Sequence, residues 1–283
     1  MNHLDLTTIV NAMALAPNGR PVQEHQTAYR IALAEDWQIE PGMKLLELGC
    51  GQGDMTAVLG AAVGENGHVV AYDPAPLDYG APITIGDAQQ HLANSSFGKQ
   101  LEVHLATDVM QNDITYPDNY FDGLVIAHAS WYFDSLEQLQ TTLRKVTPWC
   151  KQIFFAEWDI TPRLANQVPH QLAVLIETQL AAFTPNSFAN VRTLVTKGWL
   201  VEVLHELGYT VQTTSQDAMK MEDGYWEASY TAETGLAAVT AMSLPDKFKQ
   251  LMKTEIRTLQ TYDLTQMKTL DSFVITATRT DIQ

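Results

Sequence analysis

The sequence predicts a doubly wound α/β fold, a mostly parallel sheet with helices on both faces and a helical insertion before its last strand. Three observations lead there. Short apolar runs alternate with helical patterns over residues 43–158, the rhythm of a parallel sheet. One of those runs, Leu45-Leu46-Glu47-Leu48, leads directly into Gly49-Cys50-Gly51-Gln52-Gly53, with glycines at alternate positions. The stretch 218–270 is mainly helical and far longer than a connection between strands requires.

The elements follow in order. Residues 1–20 are mixed and end in the breaker Ala16-Pro17-Asn18-Gly19-Arg20-Pro21. Helical spacing from Gln23 to Asp36 (Ala28, Ile31, Ala32, Ala34) stops before Pro41-Gly42. Strands are predicted at 43–48, 68–73, 101–106, 122–128 and 152–158, with helices at 54–62, 87–95 and 135–146. The runs Val69-Val70-Ala71, Gly123-Leu124-Val125-Ile126-Ala127 and Ile153-Phe154-Phe155-Ala156 are continuously apolar, as strands buried on both faces must be. Beyond Pro162, residues 163–183 and 193–207 read as helices, 209–216 and 272–278 as strands, the last rich in β-branched residues. The expected organisation is an N-terminal helical segment or lid (1–36), a ligand-binding core (37–160) and a C-terminal part of the core (161–283) carrying the insertion 218–270.

Composition narrows the function. The chain of 283 residues carries 17 Lys plus Arg against 33 Asp plus Glu, a formal charge of −16. That balance repels phosphate backbones and anionic membranes, so neither nucleic acid nor a membrane is an expected partner. Cys50 and Cys150 are too few for a disulfide framework. No basic leader followed by an apolar core begins the sequence, and no apolar run approaches 18 residues, so a cytoplasmic protein is expected. There is no G-x-x-x-x-G-K-[ST], H-E-x-x-H, C-x-x-C or G-x-S-x-G, which removes the signatures of nucleotide hydrolysis, zinc and a serine nucleophile. No metal is expected.

The glycine segment carries the chemistry. Its glycines permit a sharp turn and leave the backbone bare where a ligand must lie against it, and the helix that follows offers free N–H groups to the same ligand. Asp73 ends the second predicted strand, where an acid can accept hydrogen bonds from both hydroxyls of a ribose. Two further acids stand beyond it, Asp87 and Asp108. Asp87 is explained as a helix cap, whereas Asp108 follows an apolar strand and precedes Asn119-Tyr120-Phe121-Asp122, the entry to the next strand.

Glu47-x-Gly49-x-Gly51-x-Gly53, the strand-end Asp73, the second acid Asp108 and the Phe121-Asp122 strand occur in the order found in the class I S-adenosylmethionine-dependent methyltransferases. Over residues 37–160 the chain resembles that family, of small-molecule type; beyond 160 the resemblance rests only on the final strand pair. It implies a seven-stranded Rossmann-like sheet and S-adenosylmethionine as cofactor. Glu47, Gly49, Cys50, Gly51, Gly53, Asp73, Pro74, Asp108, Val109 and Ala127 would hold the cofactor, and Asp122 would be structural. The implied reaction is in-line transfer of a methyl group from a sulfonium to an O, N, S or C atom of a small molecule, with alignment and exclusion of water as the protein's main task. His128, Trp131, Tyr132 and Glu157 fall at strand ends where an acceptor would sit, with His128 a candidate general base. Glu157 stands out as a carboxylate in a strand that should be buried. Three rivals stay open: a dehydrogenase, whose third glycine would come one residue later; a polyamine-synthase-like aminopropyl transfer using Glu157 and Asp159; and a non-catalytic cofactor-binding protein on the same fold. The acceptor, the acceptor atom, the oligomeric state and the role of the connection 74–86 stay undetermined by sequence.

Overall fold

The computed structural model describes residues 4–184 and 189–280. Residues 1–3, the start of the expected N-terminal lid, and 281–283, the end of the expected C-terminal part, lie outside the described residues. Two helices come first, α1 (Leu6–Asn11) and α2 (Arg20–Asp36). The core then alternates through β1 (Lys44–Leu48), α3 (Asp54–Val63), β2 (His68–Asp73), α4 (Ile85–Ala93), β3 (Leu101–Leu105), β4 (Phe121–Ala127), α5 (Leu136–Val146) and β5 (Cys150–Trp158). The C-terminal part holds α6 (Val168–Ala181), α7 (Lys197–Glu206), β6 (Tyr209–Gln216), α8 (Asp223–Ala241), α9 (Asp246–Leu259) and β7 (Ser272–Arg279).

The seven strands lie in the order β3-β2-β1-β4-β5-β7-β6. β1 to β5 are parallel, while β7 runs antiparallel between β5 and β6. Strand order reverses between β1 and β4, and ligands in such sheets bind outside the carboxyl ends at that switch point. The register explains what converges there. Ala127 pairs with Ala156, so His128, just past β4, and Glu157, still within β5, stand side by side at the same level. Ser272 pairs with both Trp158 and Gln216. The 218–270 insertion therefore leaves β6 and re-enters β7 at the carboxyl edge, the edge that carries the glycine loop.

Local chemistry accounts for most boundaries. Ser135 caps α5 by accepting from Gln138 N, and the helix buries Leu139, Leu143 and Val146 at helical spacing. Asp122 ties the amino edge, accepting from Lys44 N at 2.8 Å and pairing with Lys151 Nζ at 2.7 Å. Three elements differ from expectation. α2 begins at Arg20 rather than Gln23, because Pro21 of the expected breaker sits in the first helical turn, where a missing N–H costs nothing. α1 is a short helix inside the mixed N-terminus, capped by Asp5, which accepts from Thr8 N at 2.9 Å. α4 starts at Ile85 because Thr84 is its cap, accepting from Asp87 N at 3.1 Å while its hydroxyl donates to Asp87 at 2.8 Å; Asp87 belongs to the first turn. The main core spans the sheet, α2, α3, α5 and α7, with Phe121, Phe154, Phe155 and Phe273 fully buried. α6, α8 and α9 enclose a second apolar cluster that includes Ile176, Ala228, Met252 and Ile256.

Candidate functional site

The glycine loop closes directly on β4. A Cβ on Gly49 would stand 2.4 Å from the Ala129 Cβ, so only glycine permits that contact. Gly51 differs: it has φ +48° and nothing within 4 Å of the place a Cβ would take. That space is open above a bare, left-handed backbone, the shape a ligand lying on the loop needs. Gly51 N donates to Asp73 Oδ2 at 2.7 Å and Ala75 N donates to Oδ1 at 2.8 Å, leaving each oxygen a further lone pair. Burial raises the Asp73 pKa, and these two donors work against the rise. From below, Gln89 Nε2 donates to Gly51 O at 2.9 Å, and Gln52 bonds Ile83 O, folding the 74–86 connection against the loop. In that connection Tyr79 reaches Asn190 Oδ1 at 3.0 Å.

Glu47 lies beneath the loop, 2 % exposed. Its Oε2 has no hydrogen-bond partner. Burial pushes its pKa up to about 8, with the Thr56 hydroxyl near enough to temper the rise but outside hydrogen-bond geometry. The carboxyl thus keeps its proton in the folded, ligand-free protein to about pH 8, but loses it near pH 4.5 once unfolded. Its stabilising contribution is complete below pH 4.5 and declines as pH rises towards 8, at up to about 1.4 kcal/mol per pH unit. Glu47→Gln, permanently neutral, is expected to lose less melting temperature than the wild type between pH 5 and 8. Parallel curves for the two proteins would place the titration elsewhere.

On the β4 side, His128 adopts φ +52°, a left-handed conformation uncommon outside glycine. Its Nε2 meets the Tyr29 hydroxyl of α2 at 2.8 Å, and its Nδ1 lies 3.2 Å from Glu157 Oε1. Tyr29 also donates to Ser272 Oγ at 2.6 Å. Glu157 Oε2 accepts from Ser130 N and Oγ at 3.1 and 2.7 Å, and Oε1 from Trp158 N at 3.0 Å. The buried carboxylate is therefore committed to β4 and the turn after it, and both imidazole nitrogens already have protein partners. Trp131 is 3 % exposed and belongs to the core, its carbonyl accepting from Arg192 N and Thr193 N.

Tyr132 keeps 41 % of its surface open. Its hydroxyl is nonetheless driven well above the usual phenol range, by desolvation first and then by Tyr79, Glu227, Asp223 and Glu157 around it. The ring is thus partly open to water while its hydroxyl lies towards the protein. Two of the acids that act on it, Asp223 and Glu227, belong to α8. His170 Nδ1 accepts from Leu270 N at 2.9 Å, so its Nε2 carries the proton towards Glu227 Oε2 at 2.7 Å. Burial lowers His170 to about 4 and lifts Glu227 well above the carboxylate range, with Asp223 and Glu157 adding to the latter.

Comparison with known proteins agrees with this geometry. The family described as "Methyltransferase domain" matches residues 46–151, and "Protein-L-isoaspartate(D-aspartate) O-methyltransferase (PCMT)" matches residues 11–77. A solved structure of a cyclopropane-fatty-acyl-phospholipid synthase-like protein from Lactobacillus casei is 36 % identical, with TM-score 0.87, covering 96 % of this chain and 98 % of that one. The chain belongs to the class I S-adenosylmethionine-dependent methyltransferases. Among curated relatives of this methyltransferase, "Methyltransferase phomM'" from Diaporthe leptostromiformis is 25 % identical over 71 % of the chain and 62 % of its own length. The mitochondrial ubiquinone biosynthesis O-methyltransferase of Rattus norvegicus is 26 % identical over 69 % of the chain and 52 % of its own length. The chain thus spans less than two thirds of the length of these relatives.

S-adenosylmethionine is the family's cofactor, and the residues present fit it. Gly51 leaves an open cradle, Asp73 stands at the end of β2, and the orphaned oxygen of buried Glu47 suits a cationic ligand. Asp108 is exposed after β3 with Oδ1 accepting from Met110 N at 2.8 Å, and Val109 is buried beside it. Pro74 follows Asp73, Cys50 is a buried free thiol inside the loop, and Ala127 ends β4. Among the described residues no cluster of His, Cys, Asp and Glu is arranged to hold a metal, and no helix is long and apolar enough to cross a membrane.

The sequence reading did not single out Gln26, Tyr29, Arg30, Ser130, Ser272, Asp223 or Glu227. One signal was present: Gln23, Gln26, Thr27 and Arg30 form a polar stripe at helical spacing, and Gln26, Thr27 and Arg30 are buried. Asp73→Ala is expected to weaken S-adenosylhomocysteine by about 1.5–3 kcal/mol, the range for hydrogen bonds to a charged group. An analogue lacking the ribose hydroxyls should lose little between the two proteins by calorimetry; equal losses would assign Asp73 to holding the loop.

Proposed function

We propose that the protein transfers the methyl group of S-adenosylmethionine to a small uncharged or amine-bearing molecule held between the sheet edge and the helices α6 and α8. The observation that carries this reading is the open, left-handed cradle at Gly51, tied to Asp73 at the switch point of the sheet. When bound, the cofactor supplies an activated methyl group on a cationic sulfur. In this reading Asp73 accepts from the ribose hydroxyls, Asp108 accepts from the adenine amino group beside Val109, and the glycine loop shapes the seat between them.

The acceptor side is read from its polar groups. In this reading the acceptor lies beside Tyr132 and Tyr79, with Asp223 and the proton-bearing Glu227 of α8 near them, a setting of hydroxyl and carboxyl groups that suits an amine or phenol. Aromatic faces suit either. For an acceptor that keeps its proton until attack, His128 is the proposed base, the Tyr29 hydroxyl giving way to the acceptor's own group. Glu157 then holds the imidazole in place rather than touching the acceptor.

The aminopropyl-transfer reading is not favoured. Glu157 is bound up with His128 and Ser130, while Asp159 pairs with Lys197 Nζ at 3.6 Å and accepts from Thr161 N at 3.0 Å. The test is calorimetry with S-adenosylmethionine, S-adenosylhomocysteine and NAD, followed by methyl transfer to a panel of amines, phenols, thiols and quinols read by mass. Binding of the first two ligands and a product heavier by one methyl group are expected. Binding without product on any acceptor would favour a non-catalytic role, and NAD binding alone would overturn the reading.

A further inference from the structure

Arg30 is a buried cation on α2. Its residue is 9 % exposed, and its NH1 donates only within its own helix, to Gln26 O at 3.2 Å and Gln26 Oε1 at 2.5 Å. Among the described residues no carboxylate lies within ion-pair distance of it. An unpaired buried guanidinium is costly and persists where an anion completes it. Its position is fixed by its neighbours on α2. Gln23 Nε2 bonds Asp54 Oδ1 at 2.7 Å, just past the glycine loop, and Tyr29 bonds His128 at the end of β4. Arg30 therefore lies over the β1/β4 switch point, close enough to Glu47 for their charges to interact.

Two buried groups thus stand near the loop, each incompletely partnered: the guanidinium of Arg30 and the Glu47 carboxyl, which carries its proton until a cation stands against it. A zwitterion satisfies both. Resting on the cofactor reading above, we propose that Arg30 anchors the carboxylate of the cofactor's amino-acid end, while Glu47 faces its ammonium group. Gln26 carries the arrangement outward. Its Oε1 accepts from Arg30 and its Nε2 donates to Asp223 Oδ2 of α8 at 2.8 Å, so α8 is joined to the anchor through one side chain. The fork of Arg30 suits a carboxylate in a way the point charge of lysine does not.

Calorimetry on the full chain tests this with two ligands, S-adenosylhomocysteine and its decarboxylated analogue. Wild type is expected to bind the analogue about 10- to 150-fold more weakly, the span of a lost hydrogen bond to a charged group. Arg30→Met should lose a similar factor for S-adenosylhomocysteine and almost none for the analogue, with Arg30→Lys between. Equal wild-type affinity for both ligands, or equal losses for both in Arg30→Met, would overturn the anchor. The wild-type comparison stands even if Arg30→Met fails to fold. Failure of wild type to bind S-adenosylhomocysteine at all would instead strike the cofactor reading.

Discussion

Gly51→Val is expected to weaken S-adenosylmethionine and S-adenosylhomocysteine by at least about 100-fold, near 2.7 kcal/mol, while the protein still folds. The backbone there has φ +48°, so a β-branched residue carries strain on the order of 1–2 kcal/mol, small against the stability of a domain. No protein atom lies within 4 Å of the added Cβ. The new side chain enters only the cradle, where it competes with the ligand. Gly49→Ala is the control. Its methyl would meet Ala129 Cβ at 2.4 Å, so its effect should appear first in melting temperature. Circular dichroism and calorimetry separate the two variants. A folded Gly51→Val that binds like wild type would mean the ligand does not lie on this loop.

Glu157→Ala should be the most destabilising single change in the site, by about 3–5 kcal/mol. The carboxylate is 1 % exposed, and its removal strands Ser130 N, Ser130 Oγ and Trp158 N without an acceptor and leaves His128 without its partner. For a chain of this size that corresponds to a fall of roughly 5–8 °C in melting temperature. Glu157→Gln keeps the shape and one acceptor oxygen but turns an N–H₂ towards other donors, so an intermediate loss is expected. A drop of only a degree or two for Glu157→Ala would show that water takes over its hydrogen bonds and that the carboxylate is not structural.

The glycine turn was legible in the sequence because its conformation is local. Glu47, Gly49, Gly51 and Gly53 follow one another along a single strand and turn, and the conformations they need are properties of those residues alone. Asp73 could be read as a strand end, and the boundaries of β2 and β6 agree with those the pattern predicts, since strand periodicity and turn residues lie within a few positions of each other. The choice of Asp108 over Asp87 as the acid beside the base also came from neighbours in the chain, and the capping of α4 by Thr84 explains Asp87 in the same local terms.

The acceptor side was decided by tertiary structure. Glu157 was conspicuous as a buried acid, but its partners His128 and Ser130 lie just past the end of β4, 29 and 27 residues away, and follow from the pairing of Ala127 with Ala156. Tyr29 meets His128 across 99 positions and Ser272 across 243, and Gln26 meets Asp223 across 197. Helical periodicity marks which face of α2 is apolar, but says nothing of what a buried polar residue on that helix will meet. That depends on the strand order, which brings β1 beside β4, and on β7 running antiparallel beside β5, which returns the 218–270 helices to the carboxyl edge. Local propensity acts over one turn or one strand; the packing of the sheet chooses the partners beyond it.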